Sequence, residues 1–178
     1  MKIHGKTIKG PNIEIIVIPR STGDIIFKAQ AVLSFDDFTR LCPVPKPPMM
    51  YKRGEGKVPD TNDKIYKAAI DGYADKRIDW LVITSLAATE GLEWDQVKLD
   101  DPSTWHLFKK ELQDSGFGQY EINRIINGCM IANCLDESKV QQARERFLAG
   151  QGEEPDKSSS LNGEQKSTPS GEPVNVST

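Results

Sequence analysis

The chain has 178 residues with 23 basic and 26 acidic side chains, a formal net charge of −3 and a pI near 5.5. Such a charge balance lacks the electrostatic field that nonspecific binding to nucleic acid or to an anionic membrane requires. The three cysteines, Cys42, Cys129 and Cys134, form no Cys-x-x-Cys pair. The sequence therefore favours a reduced protein and predicts neither a disulfide framework nor a zinc ribbon.

The composition of the chain changes at Gly150. Before this residue, apolar stripes alternate with turn signals, whereas after it there is no aromatic side chain and the large aliphatic residues are Leu161, Val174 and Val176. Two lysines stand against five acidic residues in this segment, so it carries the whole net charge. Such a segment buries too little apolar surface to offset the entropy of ordering. We expect a single domain over residues 1–149 and a disordered acidic tail over residues 150–178.

Residues 1–35 are predicted to be rich in strands. Ile13–Ile18 is a β-branched run broken by Glu14, and Pro19–Asp24 supplies a turn. The next segment alternates, with one face formed by Ile25, Phe27, Ala29, Ala31, Leu33 and Phe35. This pattern predicts an antiparallel hairpin with one buried face, to which the opening stretch adds a third strand at an edge.

A short helix is predicted next, capped by Asp36 and Asp37 and ended after Leu41 by a series of prolines. Residues 43–61 are predicted to form a long loop. Its proline-rich first half favours an extended conformation, and its glycine-rich second half favours mobility. A rigid connector is the favoured interpretation of the prolines, and a ligand for an aromatic groove is the alternative.

The remainder of the domain, residues 62–149, is predicted to be helical. The helices are expected over residues 62–89, from Pro102 to the residue before Gly116, and over 119–133 and 137–148. The inward residues of the last helix are expected to be Val140, Ala143, Phe147 and Leu148. The predicted fold class is α+β: an N-terminal antiparallel hairpin or small sheet, four to five helices and a disordered tail.

No arrangement of residues in the sequence predicts catalysis. His4 and His106 have no metal-ligating partner at suitable spacing on the same element, and Gly54–Lys57 is followed by valine instead of the Ser or Thr of a phosphate loop. The carboxylate pairs at 36–37 and 100–101 lie at predicted helix starts, where they offset the helix dipole. We therefore predict a protein that is not an enzyme, with no catalytic, cofactor-binding or metal-binding residue. No partner-binding residue is assigned.

Aromatic and cysteine residues on the predicted helices have ordinary structural interpretations. Tyr66, Tyr73 and Trp80 recur near helical spacing, which favours a core stripe, with a partner surface as the alternative. Cys129 and Cys134 are expected to be small core residues. In the last helix Arg144–Arg146 is expected to be a solvated face. Too few basic residues lie near a recognition helix to favour a helix-turn-helix DNA reader.

Several segments of the sequence resemble segments of the tail assembly chaperones of long-tailed bacteriophages. These are Trp80–Gly91, Leu99–Trp105, Gly116–Ile126, Leu135–Lys139 and Ala143–Leu148. The likeness covers roughly residues 13–148, although the strand-rich start departs from the mostly helical members of that family. It rests on the overall pattern, so no binding residue carries over.

The resemblance implies a non-catalytic protein of the infected bacterial cytoplasm. Family members bind the long tape measure protein and help recruit the tail tube protein, and some also exist in a frameshifted form. A homo-oligomer, no membrane partner and no nucleic-acid partner are expected, and the absence of a secretion signal predicts that the chain is not secreted. The alternatives are a structural or head-tail joining virion protein and a host-directed regulator.

Overall fold

A computed structural model describes residues 1–3, 5–7 and 9–148. The strands within these ranges are β1 (Lys2–Ile3), β2 (Lys6–Thr7), β3 (Ile13–Ile18), β4 (Ile25–Gln30), β5 (Met49–Lys52) and β6 (Gly56–Pro59). The α-helices are α1 (Asp36–Leu41), α2 (Lys64–Leu86), α3 (Phe108–Asp114), α4 (Gln119–Ala132) and α5 (Glu137–Leu148), with a 3-10 helix over Trp105–Leu107 before α3. These elements confirm the α+β class.

The strands form three separate two-stranded antiparallel sheets, β1–β2, β3–β4 and β5–β6. In the largest, Ile16 lies opposite Phe27 and Ile18 lies opposite Ile25. The predicted hairpin is confirmed, but β4 ends at Gln30, so the prediction that the alternating strand continues to Phe35 is wrong. The opening stretch does form strands, but the prediction that it adds a third strand at an edge of the β3–β4 hairpin is wrong, because β1 pairs with β2.

The predicted loop over residues 43–61 contains a hairpin, which corrects that prediction. Strands β5 and β6 pair from Met49 opposite Pro59 to Lys52 opposite Gly56. Gly54 and Gly56 have φ values of 86° and 78°, a conformation that side chains with a Cβ rarely adopt. The two glycines interpreted as a source of mobility therefore build a tight turn.

The first helix follows the prediction in its extent but not in its cap. Phe35 is the N-cap residue of α1, and the backbone N–H of Asp36 donates to Ser34 Oγ at 3.0 Å. Asp36 and Asp37 lie in the first turn, where their charges favour the positive end of the helix dipole. They stabilise the helix start without capping it.

The long helix α2 has two unlike halves. It begins after Asp63, whose carboxylate accepts the backbone N–H of Tyr66 at 2.8 Å. Its buried residues lie in the last two turns, 79–86, while most side chains before them are exposed. Helix α2 ends at Leu86, three residues short of the prediction, and Gly91 at φ 74° lies in the turn that follows.

The core lies between the β3–β4 hairpin and helices α2 and α4. Ile16, Ile18, Phe27 and Ala29 form the buried face of the hairpin. Phe38 packs between Trp80 and Trp105, with ring centroids 5.7 and 5.8 Å away. The sequence predicts an apolar side for the segment after Pro102, formed by Trp105, Leu107, Phe108 and Leu112; Leu107 is half-buried and the other three are buried. The α-helix begins at Phe108, whereas the sequence predicts a start at Pro102.

Cys129 and Cys134 occupy unlike environments, although both were expected in the core. Cys129 is buried on α4, whereas Cys134 is exposed. Cys134 has a φ of 56°, because it lies just beyond the end of α4 where the chain turns in the left-handed conformation. The prediction is confirmed for Cys129 and wrong for Cys134.

Two compact units make up the chain, Met1–Glu137 and Ser138–Thr178. In the second unit the structure describes the remainder of α5. Val140 and Ala143 are exposed, so the prediction that they face inward is wrong, and the side chains of Phe147 and Leu148 lie outside the described residues. The predicted disordered tail, residues 150–178, also lies outside them.

Candidate binding grooves

The described residues bring together no constellation of catalytic or metal-ligating side chains. Within residues 1–3, 5–7 and 9–148, no group of three or more His, Cys, Asp or Glu side chains is placed to hold a metal ion. His106 is exposed in the 3-10 helix, and His4 lies outside the described part of the chain.

Two carboxylates on the helices hold the fold together. Glu111 on α3 accepts the backbone N–H groups of Asp95, Gln96 and Val97 at 3.0, 2.6 and 2.9 Å, which fixes the loop after α2. Asp79 on α2 is 4% exposed and accepts from Lys109 Nζ at 3.0 Å. Sequence analysis missed both residues, because their partners lie on other elements.

Two groups in the described part of the chain have perturbed pKa values, and neither marks a reaction site. Hydrogen bonds from the side chain and backbone of Ser103 lower the pKa of the exposed Asp101 carboxyl below its ordinary value. Burial raises the pKa of the Cys129 thiol to about 12. Asp101 thus orders the turn before the 3-10 helix, and Cys129 remains a neutral core thiol.

An apolar groove runs along the middle of α2, and we call it the α2 groove. It has a volume of about 520 Å³ and is open to solvent on one side. Its lining residues from α2 are Ile70, Tyr73, Ala74, Arg77, Ile78 and Leu81, and those from neighbouring segments are Val32, Phe35, Met130, Asn133 and Leu135. The α2 members recur at three- and four-residue spacing, so they form one face of about three turns.

The predicted aromatic stripe of α2 contributes to both the core and the groove. Trp80 is buried within the core, as the favoured interpretation predicted. Tyr73 is half-buried, with its ring centroid 5.3 Å from that of Phe38, and its other side lines the α2 groove. Tyr73 therefore contacts the core on one side and lines the α2 groove on the other, which the helical spacing alone does not predict.

One cationic side chain, Arg77, lines the α2 groove. The guanidinium carbon of Arg77 lies 4.7 Å from the ring centroid of Phe35, a cation–π contact that also keeps the aliphatic part of the side chain against the groove. Ile78 is 42% exposed at the rim. An apolar floor with one arginine suits an apolar segment of a partner protein better than a small polar substrate.

A comparison with protein-family models, with curated protein sequences and with solved structures found no match. Among the described residues, no helix combines the length and the apolar character needed to cross a membrane.

Proposed function

We propose that this protein is a non-catalytic tail assembly chaperone, which acts in the cytoplasm of an infected bacterium and holds the tape measure protein of a long-tailed phage. The resemblance of several sequence segments to tail assembly chaperones supports this class of protein. The α2 groove is the structural observation that supports the proposal, because it offers an apolar, solvent-accessible face on a rigid helix.

The geometry of the α2 groove suits a partner helix. Ile70, Tyr73 and Arg77 lie at three- and four-residue spacing, which matches the spacing of anchor residues on a helix laid along a groove. The remaining wall comes from Val32, Met130 and their neighbours, so the partner contacts two sides at once. A tape measure protein is long and helical, and many modest contacts of this kind hold it reversibly along its length.

Co-expression of this chain with the tape measure protein of its phage tests the proposal. We expect the tape measure protein to move from the insoluble to the soluble fraction and to copurify with this chain. An insoluble tape measure protein that is unchanged by co-expression would contradict the proposal. Recovery of this chain in purified virions would instead favour the structural or head-tail joining alternative.

A pair of matched substitutions separates groove binding from general stickiness. Ile78→Asp places a charge at the rim of the α2 groove, and Ile65→Asp places the same charge on the same helix at a side chain that is 81% exposed and outside the groove. We expect the first variant to lose copurification and the second to retain it, with similar thermal unfolding. Equal loss in both variants would argue against the groove.

A further inference from the structure

The backbone of the β3–β4 hairpin has two edges, and the hydrogen bonds show which groups face each one. In an antiparallel pair, alternate residues turn their N–H and C=O toward the partner strand, and the residues between them turn these groups away. Ala31 N–H donates to Asn12 C=O at 2.8 Å, and the strand register continues from this bond. The even-numbered residues of β3 therefore bond to β4, and Ile13, Ile15 and Val17 turn their polar groups outward.

The opposite edge confirms this assignment. Lys28 of β4 lies opposite Ile15, so its N–H and C=O must also face away from the hairpin. Its N–H donates to Thr89 Oγ1 at 2.9 Å, and the same hydroxyl donates to Lys28 C=O at 3.1 Å. The hydroxyl thus satisfies the β4 edge at this position.

Among the described residues, none covers the β3 edge in a comparable way. Val17 C=O accepts from Arg124 Nη1 at 3.4 Å, a long bond. Within the described residues, no hydrogen bond reaches the outward N–H and C=O groups of Ile13 and Ile15. An uncovered row of this kind is a template for another strand.

The space between β3 and helix α4 limits what can pair with this edge. The groove beside β3 has a volume of about 520 Å³. Its walls are residues 14–17 of β3 and one face of α4, formed by Tyr120, Asn123, Arg124, Asn127, Gly128 and Ile131. A strand occupies about 4.8 Å in the hydrogen-bonding direction and a helix about 10 Å. One strand fits above this face of α4, whereas a second copy of the domain would bring its own α4 into the same space.

The surroundings of the edge define the chemistry of that strand. Above the sheet, Ile13, Ile15 and Val17 are exposed and favour apolar side chains as cross-strand neighbours. Below it, the amides of Asn123 and Asn127 line the α4 side and favour small polar side chains. Arg124 adds a cation at one end of the edge, which favours a carboxylate on the polar face of the incoming strand.

We propose that the free edge of β3 is a strand-addition site for an extended segment of a partner polypeptide, one that alternates apolar and small polar residues and carries an acidic residue to meet Arg124. Main-chain hydrogen bonds to Ile13 and Ile15 supply the affinity, and the alternation and the carboxylate supply the specificity. The site is separate from the α2 groove and does not depend on the proposed function.

Hydrogen exchange of the full chain tests the proposal, with a fluorescein-labelled peptide of the pattern Thr-Val-Ser-Val-Asp-Val-Ser as the probe. In the free protein, the Ile13 and Ile15 amides should exchange rapidly, while the amides of Ile16 and Phe27 are protected. Saturating peptide should slow exchange at Ile13 and Ile15 by about tenfold or more. Protection of these two amides in the free chain would overturn the proposal, because another occupant would already cover the edge.

Two proline variants give a matched control for binding. Ile15→Pro removes an outward N–H of β3, and Ile26→Pro removes an outward N–H of β4, without loss of a hydrogen bond between the strands. The two side chains are similarly exposed, at 52% and 58%. Peptide affinity by fluorescence anisotropy should fall about tenfold in the first variant, the effect of one lost hydrogen bond, and stay unchanged in the second. Equal affinities in both variants would refute the assignment of the edge.

The charge pair between the peptide aspartate and Arg124 gives a second binding test that does not depend on the proline variants. Replacing the aspartate of the peptide by asparagine should weaken binding to the wild-type chain about threefold to tenfold. The same replacement should have no effect on Arg124→Ala. An identical loss in both proteins would show that the peptide does not meet Arg124, and it would overturn the proposed orientation and chemistry of the site.

Discussion

Gly128 of α4 lies close against Ile16 of β3, and its replacement gives a sharp test of the packing. A Cβ added at Gly128 would lie closer than 3.0 Å to both Cγ1 and Cδ1 of Ile16. Carbon atoms in contact prefer a separation of about 3.5–4.0 Å, so Ile16 would have to move. This side chain is 4% exposed, and the space open to it lies on its groove side, so it can move only in that direction.

The expected magnitude follows from two opposing effects. Overpacking a core costs about 1–3 kcal/mol, whereas replacing a helical glycine by alanine gains about 1 kcal/mol of helix propensity. We expect Gly128→Ala to lower the free energy of unfolding by up to about 2 kcal/mol, the overpacking cost less the gain in helix propensity. Gly72→Ala is the matched control, because it lies in α2 with no atom within 4 Å of the added Cβ. That variant should gain about 0.5–1 kcal/mol.

Urea unfolding monitored by circular dichroism measures both variants, and a double-mutant cycle with Ile16→Ala identifies the clash. Removing the two crowded atoms of Ile16 should make the Gly128 substitution neutral or stabilising in that background. A Gly128→Ala protein that gains as much stability as Gly72→Ala would refute the close approach of α4 to β3. An equal penalty in the two backgrounds would show that Ile16 is not the residue that clashes.

Further predictions concern cysteines and polar groups in the core. An Ellman-type reagent should label the exposed Cys134 rapidly in the native chain and reach Cys129 only on unfolding, and equal rates would contradict the burial. Because burial raises the pKa of Cys129 to about 12 from 9.0, the unfolded chain releases this proton first as the pH rises. The stability of wild type relative to Cys129→Ala should therefore fall by about 1.4 kcal/mol per pH unit between pH 9.0 and about 12, and a flat difference in that range would be inconsistent with the shift. Lys109→Met should cost about 1–2 kcal/mol because it leaves the buried Asp79 carboxylate unpaired, and adding Asp79→Asn should recover most of the loss in chemical denaturation. Thr84 Oγ1 is buried and has no hydrogen-bond partner among the described residues, so Thr84→Val should raise the stability by up to about 1 kcal/mol, and a loss would reveal a partner.

The two proposed surfaces differ in the physical interaction that they offer. The α2 groove offers apolar side chains, and its binding should tolerate changes of partner sequence that preserve the apolar face. The β3 edge offers backbone groups, and its binding should depend on an extended partner conformation. The two sites can therefore be inactivated separately, by a charge at Ile78 and by a proline at position 15.

Much of the local structure could be predicted from the sequence, because it depends on neighbouring residues. The β-branched run of Ile13–Ile18 with its turn predicts the central hairpin, and the spacing of Trp105, Phe108 and Leu112 predicts a buried helical face. Gly116 also ends its helix as expected, with Phe117 N–H donating to Leu112 C=O at 3.0 Å. Each of these features is set by backbone preference and by periodicity within a short segment.

Other features depend on segments that are distant in the sequence, and only the tertiary structure decided them. The Asp79–Lys109 pair, the Gly128–Ile16 contact and the hydroxyl of Thr89 on the β4 edge join elements that no local pattern relates. The alternation of β4 shows that one of its faces is apolar, but it does not show which edge of the hairpin a helix or loop will cover. Side-chain periodicity reports the faces of an element, whereas the exposure of its edges and grooves depends on how the remaining elements pack around it.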